Sequence, residues 1–207
     1  MRIHVLALDD VFDLGISAVL DAFQTANELA EMSGFSGERF NVRIVGVFKS
    51  IKTAQGLTVP VQAIGSKQPD CVVVPAIGFK MPDALEAALV RPDIRAAAGL
   101  LRQWARKGAM MTAACIGTFV MAESGLLDRQ RATTTWWLAP MFRQRYPNVS
   151  LDETNMIVKS GRYVTAGAAL SHMDLALWII RGVSPRLASL TAKYLIVDSR
   201  PSQSAYC

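Results

Sequence analysis

Residues 109–127 read Ala109-Met-Met-Thr-Ala-Ala-Cys115-Ile-Gly-Thr-Phe-Val-Met-Ala-Glu-Ser-Gly125-Leu-Leu127. The apolar run ending at Ala114 has the length of a buried strand. A helical pattern starts directly after Cys115 and stops at Gly125, a residue suited to a helix C-terminus. Cys115 therefore falls on a sharp strand-to-helix turn, with its thiol near the positive end of a helix dipole. Such an elbow presents a nucleophile and helps to hold a thiolate.

Outward from this elbow, strand and helix signals alternate. Compact apolar runs at Ile3–Leu8, Phe40–Val47, Cys71–Val74 and Ala109–Ala114 are expected strands, and a short hairpin is expected within Lys49–Gln68. Helical patterns cover Ile16–Met32, Asp83–Leu89 and Pro92–Lys107, then Ala168–Arg181 and Pro185–Val197. A hairpin spanning Met156–Val164 turns at Ser160-Gly161. Strands separated by helices predict an α/β fold, with a mostly parallel sheet covered on both faces. The ligand crevice of such a sheet lies at the carboxyl ends of its strands, so the loops after Leu8, Val74 and Ala114 are expected to converge on one pocket.

The 207 residues are 51% hydrophobic, enough for one full core. No apolar run reaches the roughly 18 residues of a membrane span, and the start turns acidic too soon for a secretory signal. A cytoplasmic protein without a membrane partner is expected. The net charge of +5 is spread over Arg91, Arg95, Arg102, Arg106, Lys107, Arg129, Arg131, Arg143 and Arg145 at spacings of solvated helix faces, which makes this segment alone a poor nucleic-acid binder. Cysteines 71, 115 and 207 have no metal-type spacing, and neither metal nor cofactor is expected. Cys71 reads as a small core residue.

Four stretches match a known family in order and spacing. They are Cys115-Ile-Gly-Thr-Phe-Val-Met-Ala-Glu-Ser-Gly-Leu-Leu-Asp, Arg131-Ala-Thr-Thr-Thr-Trp-Trp, Thr165-Ala-Gly-Ala-Ala-Leu-Ser-His-Met-Asp-Leu-Ala-Leu and Val197-Asp-Ser-Arg-Pro-Ser-Gln. From Met1 to about Ala205 the chain resembles the ThiJ/PfpI-type, class I glutamine-amidotransferase-like domain that opens many AraC-family transcriptional regulators. The resemblance implies a flavodoxin-like three-layer sandwich and a homodimer. It divides the chain into a sensor domain, 1–197, and the start of a linker, 198–207. DNA contact would belong to a helix-turn-helix domain further along a longer chain.

Enzymes of the wider superfamily set an acidic residue against the elbow cysteine, in a pattern near Leu-Asp-x-x-Gly-Pro. Here Gly15 takes the carboxylate position and Asp13 is two residues out of phase. Protease-like members carry His, and hydratase-like members Thr, where this chain has Ile116. The family's Thr-Thr-His-Trp pattern has become Thr133-Thr134-Thr135-Trp136, and its Gly-Gly turn has become Pro75-Ala76-Ile77-Gly78, leaving Gly78 as the possible backbone donor. Cysteine catalysis needs a base or cation and an oxyanion donor. Of the two histidines, His4 reads as structural. His172 occurs where these regulators often carry Trp and is read as packing at the pocket or dimer surface.

The resulting expectation is a catalytically inactive ligand sensor that retains Cys115 as a vestigial nucleophile. An unidentified small metabolite would meet Gly15, Gly78, Cys115, Ile116, Gly117, Thr135, Trp136 and His172. Gly15 would leave room for it, and the backbone N–H groups of Ile116 and Gly117 would bind an anionic group. Asp9, Asp10 and Asp13 read as charges complementing a helix dipole. The final helices, with Trp178 and Tyr194, are candidate dimer surfaces. Two other readings stand beside this one: a cysteine-dependent hydratase or amidohydrolase, and redox sensing through Cys115.

Overall fold

The computed structural model describes residues 1–198 and 200–206, so Cys207 lies outside the described residues. In chain order the strands are β1 (Arg2–Leu6), β2 (Asn41–Val45), β3 (Ser50–Lys52), β4 (Thr58–Pro60), β5 (Cys71–Val74), β6 (Met110–Ala114), β7 (Arg131–Ala132), β8 (Ser150–Leu151), β9 (Ile157–Ser160) and β10 (Tyr163–Ala166). The helices are α1 (Asp13–Met32), α2 (Pro82–Leu89), α3 (Pro92–Arg106), α4 (Gly117–Glu123), α5 (Ala139–Arg145), α6 (Ser171–Val183) and α7 (Pro185–Leu195). The central sheet runs β2-β1-β5-β6-β10-β9. Every pairing in it is parallel except the β9–β10 hairpin, in which Tyr163 lies opposite Ser160. The expected hairpin in 49–68 is the separate β3–β4 pair.

Alternation along the central strands builds two cores. Leu6, Val72, Val74, Met111 and Ala113 face Leu85, Ile94, Leu101, Trp104, Phe119 and Phe142 on one side of the sheet. Ile3, Val5, Cys71, Val73, Val164 and Ala166 face Val19, Phe23, Leu175, Ile179 and Leu187 on the other. This is the flavodoxin-like three-layer sandwich expected from the sequence. Cys71 is fully buried, in keeping with a core role. His4 is buried with its ring edge-on to Trp104, 5.5 Å between centroids.

Local chemistry sets the element ends. Pro82, Pro92 and Pro185 open α2, α3 and α7, where a missing N–H costs nothing. Ser184 caps α7 by accepting the Leu187 N–H at 3.1 Å. Gly125, at φ 73°, ends the turn after α4. Between β6 and α4 the chain reverses at Cys115, which is held at φ 54°. Helix α4 then starts so close to β5 that a Cβ on Gly117 would lie 2.2 Å from the Val74 carbonyl oxygen and 2.7 Å from that of Pro75.

Those carbonyls are main-chain atoms locked in the sheet's end, so they cannot yield. Gly117→Ala is expected to destabilise the chain by about 3 kcal/mol or more. A Cβ on Gly99 in α3 meets nothing within 4 Å. Gly99→Ala is therefore expected to stabilise by about 0.5–1 kcal/mol through helix propensity. Urea unfolding of the two variants beside the parent chain checks both signs.

Candidate functional site

Cys115 is held from three directions. Its N–H donates to the Ala166 carbonyl at 2.8 Å, and its carbonyl accepts from the Thr118 N–H at 3.1 Å and the Thr134 hydroxyl at 2.9 Å. These bonds tie β10, α4 and the segment after β7 to one residue with left-handed backbone. The thiol is buried and lines a cavity of about 40 Å³ with Phe12, Ala76, Ile77, Gly78, Phe79, Lys80, Ile116, Trp137 and Ala169. The loops after β1, β5 and β6 thus meet over the cysteine, as the strand order requires. The space is small, room for roughly three waters.

Burial is the largest influence on the thiol. It pushes the pKa up to about 12, although the Ile116 N–H and the Thr135 hydroxyl facing the sulfur draw it down. Lys80 is exposed and is not among the groups that shift it. A thiolate here lacks the cation or base that lowers a reactive cysteine.

The imidazole of His172 explains the glycine at position 15. A Cβ on Gly15 would stand 2.6 Å from His172 Nε2 and 2.9 Å from two ring carbons. The room expected for a ligand above Gly15 is occupied by this ring, which is itself fully buried. The Ala76 N–H donates to His172 Nε2 at 3.0 Å, so Nε2 carries the lone pair and Nδ1–H donates to the Ala169 carbonyl at 2.6 Å. Both nitrogens are engaged by backbone, and the ring is neutral. It packs beside Phe12, 6.1 Å between centroids, behind the wall of the cavity.

Other expected site residues separate into lining and support. Gly78 and Ile116 line the cavity, but the Gly78 N–H is taken by the Asp10 carbonyl at 2.7 Å and offers no donor. The Ile116 N–H faces the Cys115 sulfur, and Gly117 is pressed against two carbonyl oxygens. Helix α4 has only seven residues, and an anion at its start would meet those oxygens as well as its N–H groups. Thr135 is fully buried against the thiol. Trp136 is 39% exposed and lies outside the cavity, whereas Trp137, set edge-on to it at 5.8 Å, forms the wall. The 3-10 turn at Trp136–Leu138 selects which indole turns inward.

The acidic trio is structural. Asp13 lies in the first turn of α1, as expected, and accepts the Gln55 N–H at 3.1 Å. Asp9 accepts the Lys52 N–H at 3.0 Å. Asp10 pairs with Arg91 at 2.7 Å, and Arg91 also grips the buried Asp93 at 2.6 Å. Among the described residues no group of three or more His, Cys, Asp or Glu is placed to hold a metal ion.

Arg200–Gln203, within the segment expected as the start of a linker, fold back onto the domain. Arg200 pairs with Asp174 at 2.7 Å and donates to the Leu170 carbonyl at 3.0 Å. Met156 N–H donates to the Pro201 carbonyl and Gln203 N–H to that of Thr154, at 3.0 and 2.8 Å. Gln203 is fully buried, its amide nitrogen donating to the Thr133 hydroxyl at 3.2 Å and the Thr134 carbonyl at 3.0 Å. Gly167 is needed opposite it, since a Cβ there would lie 2.7 Å from the Gln203 amide oxygen. The packed domain thus extends through Gln203. Sequence reading missed Gln203 because a glutamine in a stretch without periodicity reads as solvated. Its one signal was membership of the Val197–Gln203 block.

Burial holds the His172 pKa down to about 4, against an ordinary 6.5. Above pH 6.5 the ring is neutral whether the chain is folded or unfolded, and its contribution is fully present. As pH falls from 6.5 towards 4, the unfolded chain takes up a proton that the folded one refuses. Stability is then expected to drop by about 3 kcal/mol. His4, also lowered by burial, acts in the same direction. Urea midpoints at pH 7.5, 6, 5 and 4.5 for the parent and His172→Gln isolate the His172 share: the variant should show the flatter slope, and equal slopes would refute the assignment.

A profile of the DJ-1/PfpI family matches residues 1–182. The chain is 33% identical over 116 residues to the HTH-type transcriptional regulator CdhR of Pseudomonas aeruginosa, a match covering 53% of this chain and 34% of that one. It therefore spans about a third of that regulator's length. A crystal structure of an AraC family transcriptional regulator from Pseudomonas putida superposes with TM-score 0.76 at 18% identity, covering 94% of this chain and 98% of that one. Drosophila melanogaster DJ-1beta superposes with TM-score 0.74 at 18% identity over 96% and 98%. These two likenesses establish the same fold. With residues 1–182 matched and the elbow cysteine in place on this sheet, the chain belongs to the DJ-1/PfpI family.

Proposed function

We propose that this chain is the ligand-sensing and dimerisation part of an AraC-type transcriptional regulator and performs no cysteine chemistry. The observation that carries the second half is the exchange at the elbow. The position that the family resemblance assigns to a carboxylate is Gly15 here, and a neutral, doubly hydrogen-bonded His172 fills the space. A general base needs a free lone pair directed at the nucleophile, and the His172 lone pair is spent on Ala76. The regulator half is supported by similarity to CdhR, which its name describes as a transcriptional regulator.

The tail supplies a route for a signal. Gln203 is bonded to Thr133 and Thr134, and Thr134 is bonded to Cys115. A displacement at the elbow is transmitted through two hydrogen bonds to the segment leading out of the domain. Sensing also requires that the ligand bind one arrangement more tightly than the other. In this reading the DNA-contacting part lies beyond Cys207, and the regulator acts as a homodimer.

Reading the parent gene past the codon for Cys207 tests the regulator half. An in-frame continuation of roughly 100 residues with two helix-turn-helix patterns supports it, and a stop codon there removes it. Sedimentation at the mass of a single chain at 50 μM would remove the dimer. Iodoacetamide at pH 7.5, followed by peptide mass spectrometry, tests inactivity. With the thiol pushed up to about 12, Cys115 is expected to react roughly a thousandfold more slowly than free cysteine. Rapid, selective alkylation of Cys115 would instead favour the hydratase or amidohydrolase reading.

A further inference from the structure

The cavity over Cys115 is too small for a metabolite, but a second hollow of about 510 Å³ lies between β9, α6, α7 and the tail. That volume falls within the range of small-molecule sites. The two helices face it with residues at helical spacing, Asp174, Leu177, Trp178 and Arg181 from α6 and Pro185, Ala188, Ser189 and Ala192 from α7. The α7 side chains are small and leave the opening; Trp178 supplies a broad apolar wall. Ile157 and Lys159 of β9 close one side, and Val197, Asp198, Arg200 and Pro201 of the tail close the other.

Lys159, Arg181 and Arg200 face Asp174 and Asp198 across this groove, one cation in excess. Asp174 is engaged with Arg200. Lys159 lies over the Trp178 ring, 5.9 Å from its centroid. Among the described residues neither Lys159 nor Arg181 is paired with a carboxylate. A further donor is unused: Arg200 Nε is buried with no hydrogen-bond partner, although the same guanidinium bonds Asp174 and Leu170 through Nη2. That nitrogen is shut off from the groove, so the groups that can meet a ligand there are the exposed ends of Lys159 and Arg181.

We infer that this groove is the effector site, binding a small organic anion whose carboxylate meets Arg181 and Lys159 and whose flat apolar body lies along Trp178. The assignment rests on the sensing function proposed above and places the ligand beside the tail rather than over Cys115. The ligand occupies a wall made by the tail itself, so occupancy is read directly by the segment that leaves the domain. The Arg200–Asp174 pair stays in place behind the ligand and holds the tail against α6.

The probe is 8-anilinonaphthalene-1-sulfonate, an anion with a flat apolar body, titrated onto the folded 207-residue chain by fluorescence. One site per chain is expected, with energy transfer from tryptophan and competition by benzoate but not by neutral benzamide. Its Kd should rise at least tenfold in Lys159→Glu/Arg181→Glu and in Trp178→Ala, and stay within twofold in Trp137→Ala, which alters the cavity over Cys115. Lys159 and Arg181 are solvent-facing, and circular dichroism with thermal melts verifies that their variants fold; Arg181→Gln, removing one charge, should lie between parent and double variant. The inference is overturned by absence of binding, by undiminished binding in the double variant, by equal competition from benzamide, or by loss of binding in Trp137→Ala alone. Any of these leaves the regulator reading intact, since that fails on the gene continuation and not on the probe.

Discussion

The reversal at Cys115 is the constraint around which the rest of the domain is arranged. A β-carbon in the left-handed region costs about 1–3 kcal/mol and persists only where the surroundings over-determine it. Here they do: the N–H is fixed by β10, the carbonyl by the first turn of α4 and by Thr134, and Gly117 is wedged against the end of β5. The elbow thus holds three neighbouring strands and a helix in register, a structural duty independent of what the thiol does.

Electrostatics at the elbow disfavours a thiolate. A helix terminus is worth about 0.3–1 kcal/mol to a nearby anion, up to about 2 in a favourable partly buried site. Moving a thiol from its ordinary 9 to about 12 corresponds to about 4 kcal/mol against the thiolate. A single N–H from Ile116 and a hydroxyl from Thr135 do not reverse that balance, and nothing cationic contributes. Gly15 and His172 form a matched pair beside the thiol. A side chain at position 15 would meet the His172 ring, which fills that space with both nitrogens bonded to backbone, so the pair is a packing solution.

Hydrophobic periodicity carried most of the fold. The elbow, the proline-opened helices α3 and α7, the hairpin at Gly161 and the convergence of three loops all follow from local pattern and the rule for parallel sheets. The site was harder to read because its decisive contacts join residues far apart in the chain. Nothing near Gly15 announces that an imidazole from α6 fills its space, so an absent side chain reads as an opening. Nearness to Thr135 favours Trp136, and only the direction set by the 3-10 turn makes Trp137 the indole that faces the cavity. Gln203 escaped for a related reason: polarity and lost periodicity describe a solvated connection, whereas burial here depends on Thr133, Thr134 and a glycine at 167.

The tail's two anchors differ physically, and the difference bears on how a signal leaves the domain. Gln203 is held by neutral hydrogen bonds, each with a net worth near 1 kcal/mol. Arg200 is held by a carboxylate only 8% exposed, and stripping its partner would leave a buried charge at a cost of about 3–5 kcal/mol. The first anchor is the one that yields. If the groove is the effector site, as proposed, its ligand sits against the Arg200 end and leaves Gln203 unchanged. A disturbance at the elbow reaches Thr134 and works on the weaker anchor. The tail of a sensor built this way has one contact to be held and another to be released, on opposite sides of Pro201.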